Sequence, residues 1–232
     1  MLEDGAGERG NRTKGQSPIG LVDASVVCGV LAAALLAGCS GAINSSGPAN
    51  VPITNSETVP TPKDEVWKKL VAGLPKQLFA INNLDKESGL VNVSYNGDPE
   101  RYVDCGMIHS AMGGGGERDY NFPASRAVQE YQVTNGFITA QVHRKMSLEG
   151  RMSILVQSVD ANTTNVSVNT KYILTRVVTV DSNPPLSDTT LVNFNTGQSA
   201  VFPVTPGWPN VPCHATGALE RVILEIVKLT AG

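Results

Sequence analysis

Hydrophobic positions fall two residues apart over most of the second half of the chain. Ile138, Ala140, Val142 and Met146 share one phase, and Met152, Ile154 and Val156 follow. Val166, Val168, Tyr172, Leu174, Val178 and Val180 then keep a single phase, and Val192, Phe194, Ala200 and Phe202 flank an Asn195-Thr196-Gly197 turn. Alternation of this kind predicts an antiparallel sheet with one buried face. Glu149-Gly150 and Asp160-Ala161-Asn162 read as turns, and the run ending at Val180 is long enough to predict a bend or bulge. Earlier, Phe79-Ala80-Ile81-Asn82, the Asp85–Gly89 turn and Leu90 to Tyr95 read as a hairpin.

Two stretches change period. After Thr61-Pro62, the residues Val66, Trp67, Leu70, Val71 and Leu74 form a helical stripe that Pro75 ends. Thr61 is a candidate cap, and Asp64 and Glu65 suit the positive end of the helix dipole. A closing helix runs from about Ala218 to Leu229. Leu219, Val222, Ile223 and Ile226 form its core stripe, with Glu220, Arg221, Glu225 and Lys228 elsewhere. A sheet with one apolar face needs cover. The expected fold class is therefore α+β: an antiparallel sheet covered on one face by an N-terminal and a C-terminal helix.

Val66-Trp67-Lys68-Lys69-Leu70, then Phe79-Ala80-Ile81, then Gly89-Leu90-Val91-Asn92-Val93-Ser94-Tyr95 resembles the opening of the helix-grip domain of BamC (NlpB)-type lipoproteins. Those belong to the outer-membrane β-barrel assembly machinery. The resemblance covers about 30 residues and implies a helix-grip-like domain in an envelope assembly complex.

The first 60 residues follow neither period. An apolar run of 13 residues, Ala24 to Leu36, leads into Leu36-Ala37-Gly38-Cys39. The run falls short of the roughly 20 residues a membrane span requires. Small residues after a short apolar core read as a signal peptide and its cleavage site. The motif resembles the lipobox of bacterial lipoproteins. That resemblance implies signal peptide 1–38, lipidation of Cys39 including fatty acylation such as palmitate, and attachment to membrane lipid. Ser40 stands where enteric-type inner-membrane lipoproteins commonly carry Asp, which implies the outer membrane, facing the periplasm. Residues 39–62, rich in Gly, Pro, Ser, Asn and Thr, read as a flexible tether, and 63–232 as a single α+β domain.

Composition narrows the function. The chain has 18 basic and 21 acidic residues, a net charge of −3, and 5% aromatic residues. Nothing in that balance points to nucleic acid. With Cys28 in the signal and Cys39 lipidated, Cys105 and Cys213 remain. In an exported protein they read as a disulfide. Joined with His109 and His214 they would also make a zinc set, and a free Cys105 would make a nucleophile. No catalytic motif or cofactor fingerprint stands out, so no enzyme activity, metal or cofactor is expected. Arg144 and Arg176 fall in the buried phase of apolar strands. They read either as an anion-binding pair or as residues that reach solvent at a bulge or strand end. Trp208, Leu224 and Val227 read as an exposed patch for a protein partner, unless the sheet wraps both sides of the last helix. The expected function is a lipid-anchored binding or scaffolding protein of the envelope. An accessory lipoprotein of a secretion or conjugation apparatus is the alternative.

Overall fold

The computed structural model describes residues 41–49, 51–113, 118–134, 136–203 and 209–228. The chain opens with strands β1 (Gly41–Ser46) and β2 (Ser56–Val59), then helix α1 (Lys63–Gly73) and a 3-10 turn, Leu74–Gln77. Strands β3 (Ala80–Asp85), β4 (Leu90–Gly97), β5 (Val103–Asp104), β6 (Met107–Met112), β7 (Arg118–Pro123) and β8 (Val128–Thr134) follow. Two long strands come next, β9 (Thr139–Ser158) and β10 (Thr164–Val180). The chain then forms β11 (Leu186–Asn195), β12 (Ser199–Phe202), β13 (Val211–Ala215) and helix α2 (Ala218–Lys228).

Three antiparallel sheets result. The largest runs β11-β10-β9-β4-β3, with β2 also paired to β10 and β8 to β9; the others are β1-β6-β7 and β12-β13-β5. The β9–β10 ladder keeps one register from Thr164 opposite Ser158 to Val180 opposite Val142. The predicted bulge is absent from it, and the register shift lies instead between Ile81 and Asn83 in β3. Nor does Glu149-Gly150 turn the chain. Both sit inside β9, where a Cβ on Gly150 would press to 2.9 Å from Leu219 of α2. That glycine makes room for a helix rather than a bend.

The expected helix-covered α+β fold is corrected by this architecture. Strands hold 57% of the described residues and helices 15%, so the domain is mainly β. Length is the physical reason. A 20-residue strand rises roughly 65 Å, whereas an 11-residue helix spans roughly 16 Å. The helices lie over the part of the large sheet around Gly150 and Tyr172, and they pack on each other where Gly73 admits Ile226. Strand side chains close the rest of the core: Ile108 of β6, Phe122 of β7, Phe202 of β12 and Val211 of β13 are all buried. Nor does Thr61 cap α1 with its side chain; its carbonyl accepts a hydrogen bond from Thr164 Oγ1 at 2.7 Å.

The segment read as a flexible tether is largely folded. β1 pairs with β6 over its whole length, and β2 pairs with Thr164–Ser167 of β10. Few of these residues are large and apolar, yet Val59 is buried and Ile43 and Ile53 pack against the core. Their backbone groups are satisfied by strands already in place, which composition does not register.

Candidate functional site

Cys105 and Cys213 form a disulfide across 108 residues, and both are fully buried. The bridge ties the β5–β6 junction to β13. At that junction Gly106 takes φ +73°, and a Cβ there would strike the carbonyl oxygen of Ser46. Asp104 holds the corner, accepting from Gly106 N at 2.7 Å and Ala49 N at 3.1 Å. The disulfide removes both sulfurs from the zinc and nucleophile alternatives. Among the described residues no group of three or more His, Cys, Asp or Glu is placed to hold a metal.

Arg144 and Arg176 come together as diagonal neighbours on β9 and β10, since Arg144 stands opposite Val178 and Arg176 opposite Met146. Both have no solvent exposure, which corrects the expectation that each reaches water at a bulge or strand end. The unbroken register leaves no bulge to turn them outward. Arg144 lies 5.5 Å from the Phe122 ring centre and donates from Nη1 to the Ala124 carbonyl at 3.3 Å. Arg176 lies 4.8 Å from the Phe202 ring centre, donates to the Pro203 carbonyl and Thr190 Oγ1, and reaches Asp188 at 3.5 Å. Guanidinium over an aromatic face is favourable. Burial lowers Arg144 to about 9, still above neutral pH, and it also lowers Arg176 against the opposing pull of Asp188. Burial raises the Tyr131 hydroxyl, which stays protonated beside them. The two cations are buried between strands of the large sheet and aromatic rings of the two smaller ones.

The proposed partner patch is corrected in part. Leu224 and Val227 are 3% and 1% exposed, while Trp208 lies outside the described residues. Part of what covers α2, beyond β10 and α1, comes from the supposed tether. Ile53 packs at Gly217, Pro52 and Thr54 line a groove with Leu224, and Lys228 pairs with Glu57 at 2.9 Å. Glu220, assigned to the polar side, is fully buried. It accepts from the Tyr172 hydroxyl at 2.9 and 2.7 Å and from Thr196 Oγ1 at 2.7 Å. Burial, then the nearby Glu220, raises Tyr172 and keeps it a donor.

One outward cluster escaped the sequence reading. His143 of β9 lies between Glu130 of β8, 3.1 Å from Nδ1, and Asp181, 3.2 Å from Nε2. The carboxylates hold opposite ring nitrogens, so the three do not converge on one ion. Hydrogen bonds to Asp181 and Glu130 raise the imidazole above its ordinary value. The outward phase of His143 was readable beside inward Arg144, but its partners depend on two strand registers.

Cys39, read from the sequence as the lipidated residue, lies outside the described residues. Its nearest described neighbour in sequence, Gly41, begins β1 opposite Met112, and a Cβ on Gly41 would collide with the Thr134 methyl. Gly41 therefore packs where the β6–β7 and β8–β9 hairpins close. Among the described residues no helix is long and apolar enough to cross a membrane. Comparison with known protein families, curated proteins and solved structures finds no match for this chain.

Proposed function

We propose that the chain is a lipid-anchored envelope protein whose β domain serves binding or scaffolding rather than catalysis. The observation that carries this reading is Leu36-Ala37-Gly38-Cys39 at the end of a short apolar run. The buried Cys105–Cys213 bridge supports it, because disulfides persist in oxidising compartments outside the cytosol. Ser40 favours the outer membrane, with the domain facing the periplasm. Fractionation of bacteria expressing the full chain tests the proposal. The native protein should sit in membranes with a mass that includes acyl chains on Cys39, and Cys39→Ser should lose both. Equal membrane retention of the variant would refute the anchor.

A further inference from the structure

A lipid on Cys39 would lie two residues from β1, a reach of at most roughly 7 Å. The fold itself, rather than a tether, then fixes which end of the domain meets the bilayer. Four features identify that end. Gly41 packs at Thr134, the last residue of β8. The β6–β7 hairpin closes beside it, with Met112 opposite Arg118. The β8–β9 hairpin closes with Thr134 opposite Thr139, and it carries Phe137 at 96% exposure and Ile138 at 69%. Along the same sheet Val142 pairs with Val180, and Val180 with Leu186, so the β10–β11 turn also ends there, with Leu186 48% exposed. The β9–β10 turn, with Val159 at 62%, lies at the opposite end of the same two strands.

We propose that the Phe137–Ile138 tip is a membrane-contact wedge, seated in the headgroup and upper acyl region of the bilayer beside the lipid on Cys39. Phe and Leu-type side chains are suited to that layer. Moving apolar side chains this exposed into an apolar layer is favourable. The short covalent distance from the acyl chain brings that layer within reach of the tip. The acyl chains provide affinity, and the tip sets orientation, standing the long strands end-on to the surface. This inference rests on the anchoring reading above.

The test uses the full, lipidated protein in phosphatidylethanolamine–phosphatidylglycerol vesicles. Cys105 and Cys213 are bridged and Cys39 is acylated, so Phe137→Cys or Val159→Cys adds one labelling site for a bimane fluorophore. At 137, emission should shift to the blue on reconstitution and be lost when brominated lipids are included. At 159 neither change should occur. A protein whose mass includes the acyl chains, but whose position 137 is unaffected or is quenched no more than 159, overturns the wedge and leaves the anchor intact. A protein without the acyl mass overturns the anchor, and the wedge with it.

Discussion

Glu220 shows how a charged residue can belong to an apolar face. Its position lies three and seven residues before Ile223 and Val227, so it shares their side of α2, and all three are buried. The stripe was legible; its centre was misplaced by the assumption that a glutamate faces water. Tyr172 and Thr196 satisfy the carboxyl group, and Tyr172 also stacks on Phe194 at 5.2 Å. Glu220→Ala should destabilise the domain by about 2–4 kcal/mol, because it leaves the buried Tyr172 hydroxyl without its acceptor and takes one from the half-buried Thr196. Tyr172→Phe should cost about 1–2 kcal/mol. A double-mutant cycle read by urea unfolding should give a coupling of about 0.5–3 kcal/mol, and strict additivity would count against the pair. His143 offers a pH handle on the outer surface. Its raised folded-state value, caused by hydrogen bonds to Asp181 and Glu130, means its contribution to stability is full below the unfolded value of about 6.5. That contribution fades as pH rises through the folded value. His143→Gln should therefore lose more stability, relative to the native chain, in mildly acidic than in mildly alkaline buffer. A deficit that does not change with pH would remove the imidazole from the account.

Strand pairs explain which elements were readable. β4, β9, β10 and β11 carry alternating side chains, and their existence followed from the period alone. The two helices were also read correctly as elements, with α1 burying Val66, Trp67 and Leu70. β1, β6 and β7 were missed, although β6 buries Ile108 and Ser110 and β7 buries Phe122. These strands are short and polar on their outer side, and β1 is held by the distant β6, so a local window carries little of their cause. The Cys105–Cys213 pairing was legible from cysteine arithmetic, once the expected signal peptide and lipobox set Cys28 and Cys39 aside. Its surroundings were not. The sharp corner after Cys105 depends on Gly106, whose left-handed φ lets Ser46 and Gly47 pass against it. Gly106→Ala combines an unfavourable φ with a backbone collision, and should destabilise by about 2–4 kcal/mol. Chemical denaturation with the disulfide kept oxidised would measure it, and a change below about 0.5 kcal/mol would show that the corner relaxes freely.

Two misreadings of the chain as a whole have one origin. Residues 39–62 were expected to hang free, and Leu224 and Val227 were expected to be bare. In the folded molecule part of the first lies against the helix that carries the second, which β10 and α1 also cover. β2 extends the large sheet, Ile53 lies on Gly217, and Glu57 meets Lys228 at the end of α2. Removing a presumed tether would thus uncover the C-terminal helix and withdraw a strand from β10. Arg144 and Arg176 belong to the same lesson, since their burial depends on Phe122 and Phe202 from the two smaller sheets, one of which contains β1. A chain beginning at Gly41 keeps every described strand, whereas one beginning at Thr61 loses β1, β2 and buried Val59. The longer form should unfold in one cooperative transition. The shorter one should show a lower midpoint and added binding of a hydrophobic dye, because α2 and the outer side of β6 are laid open. Side-by-side urea titrations with dye fluorescence decide the matter. Identical midpoints and no extra dye signal would restore residues 41–60 to the status of a linker.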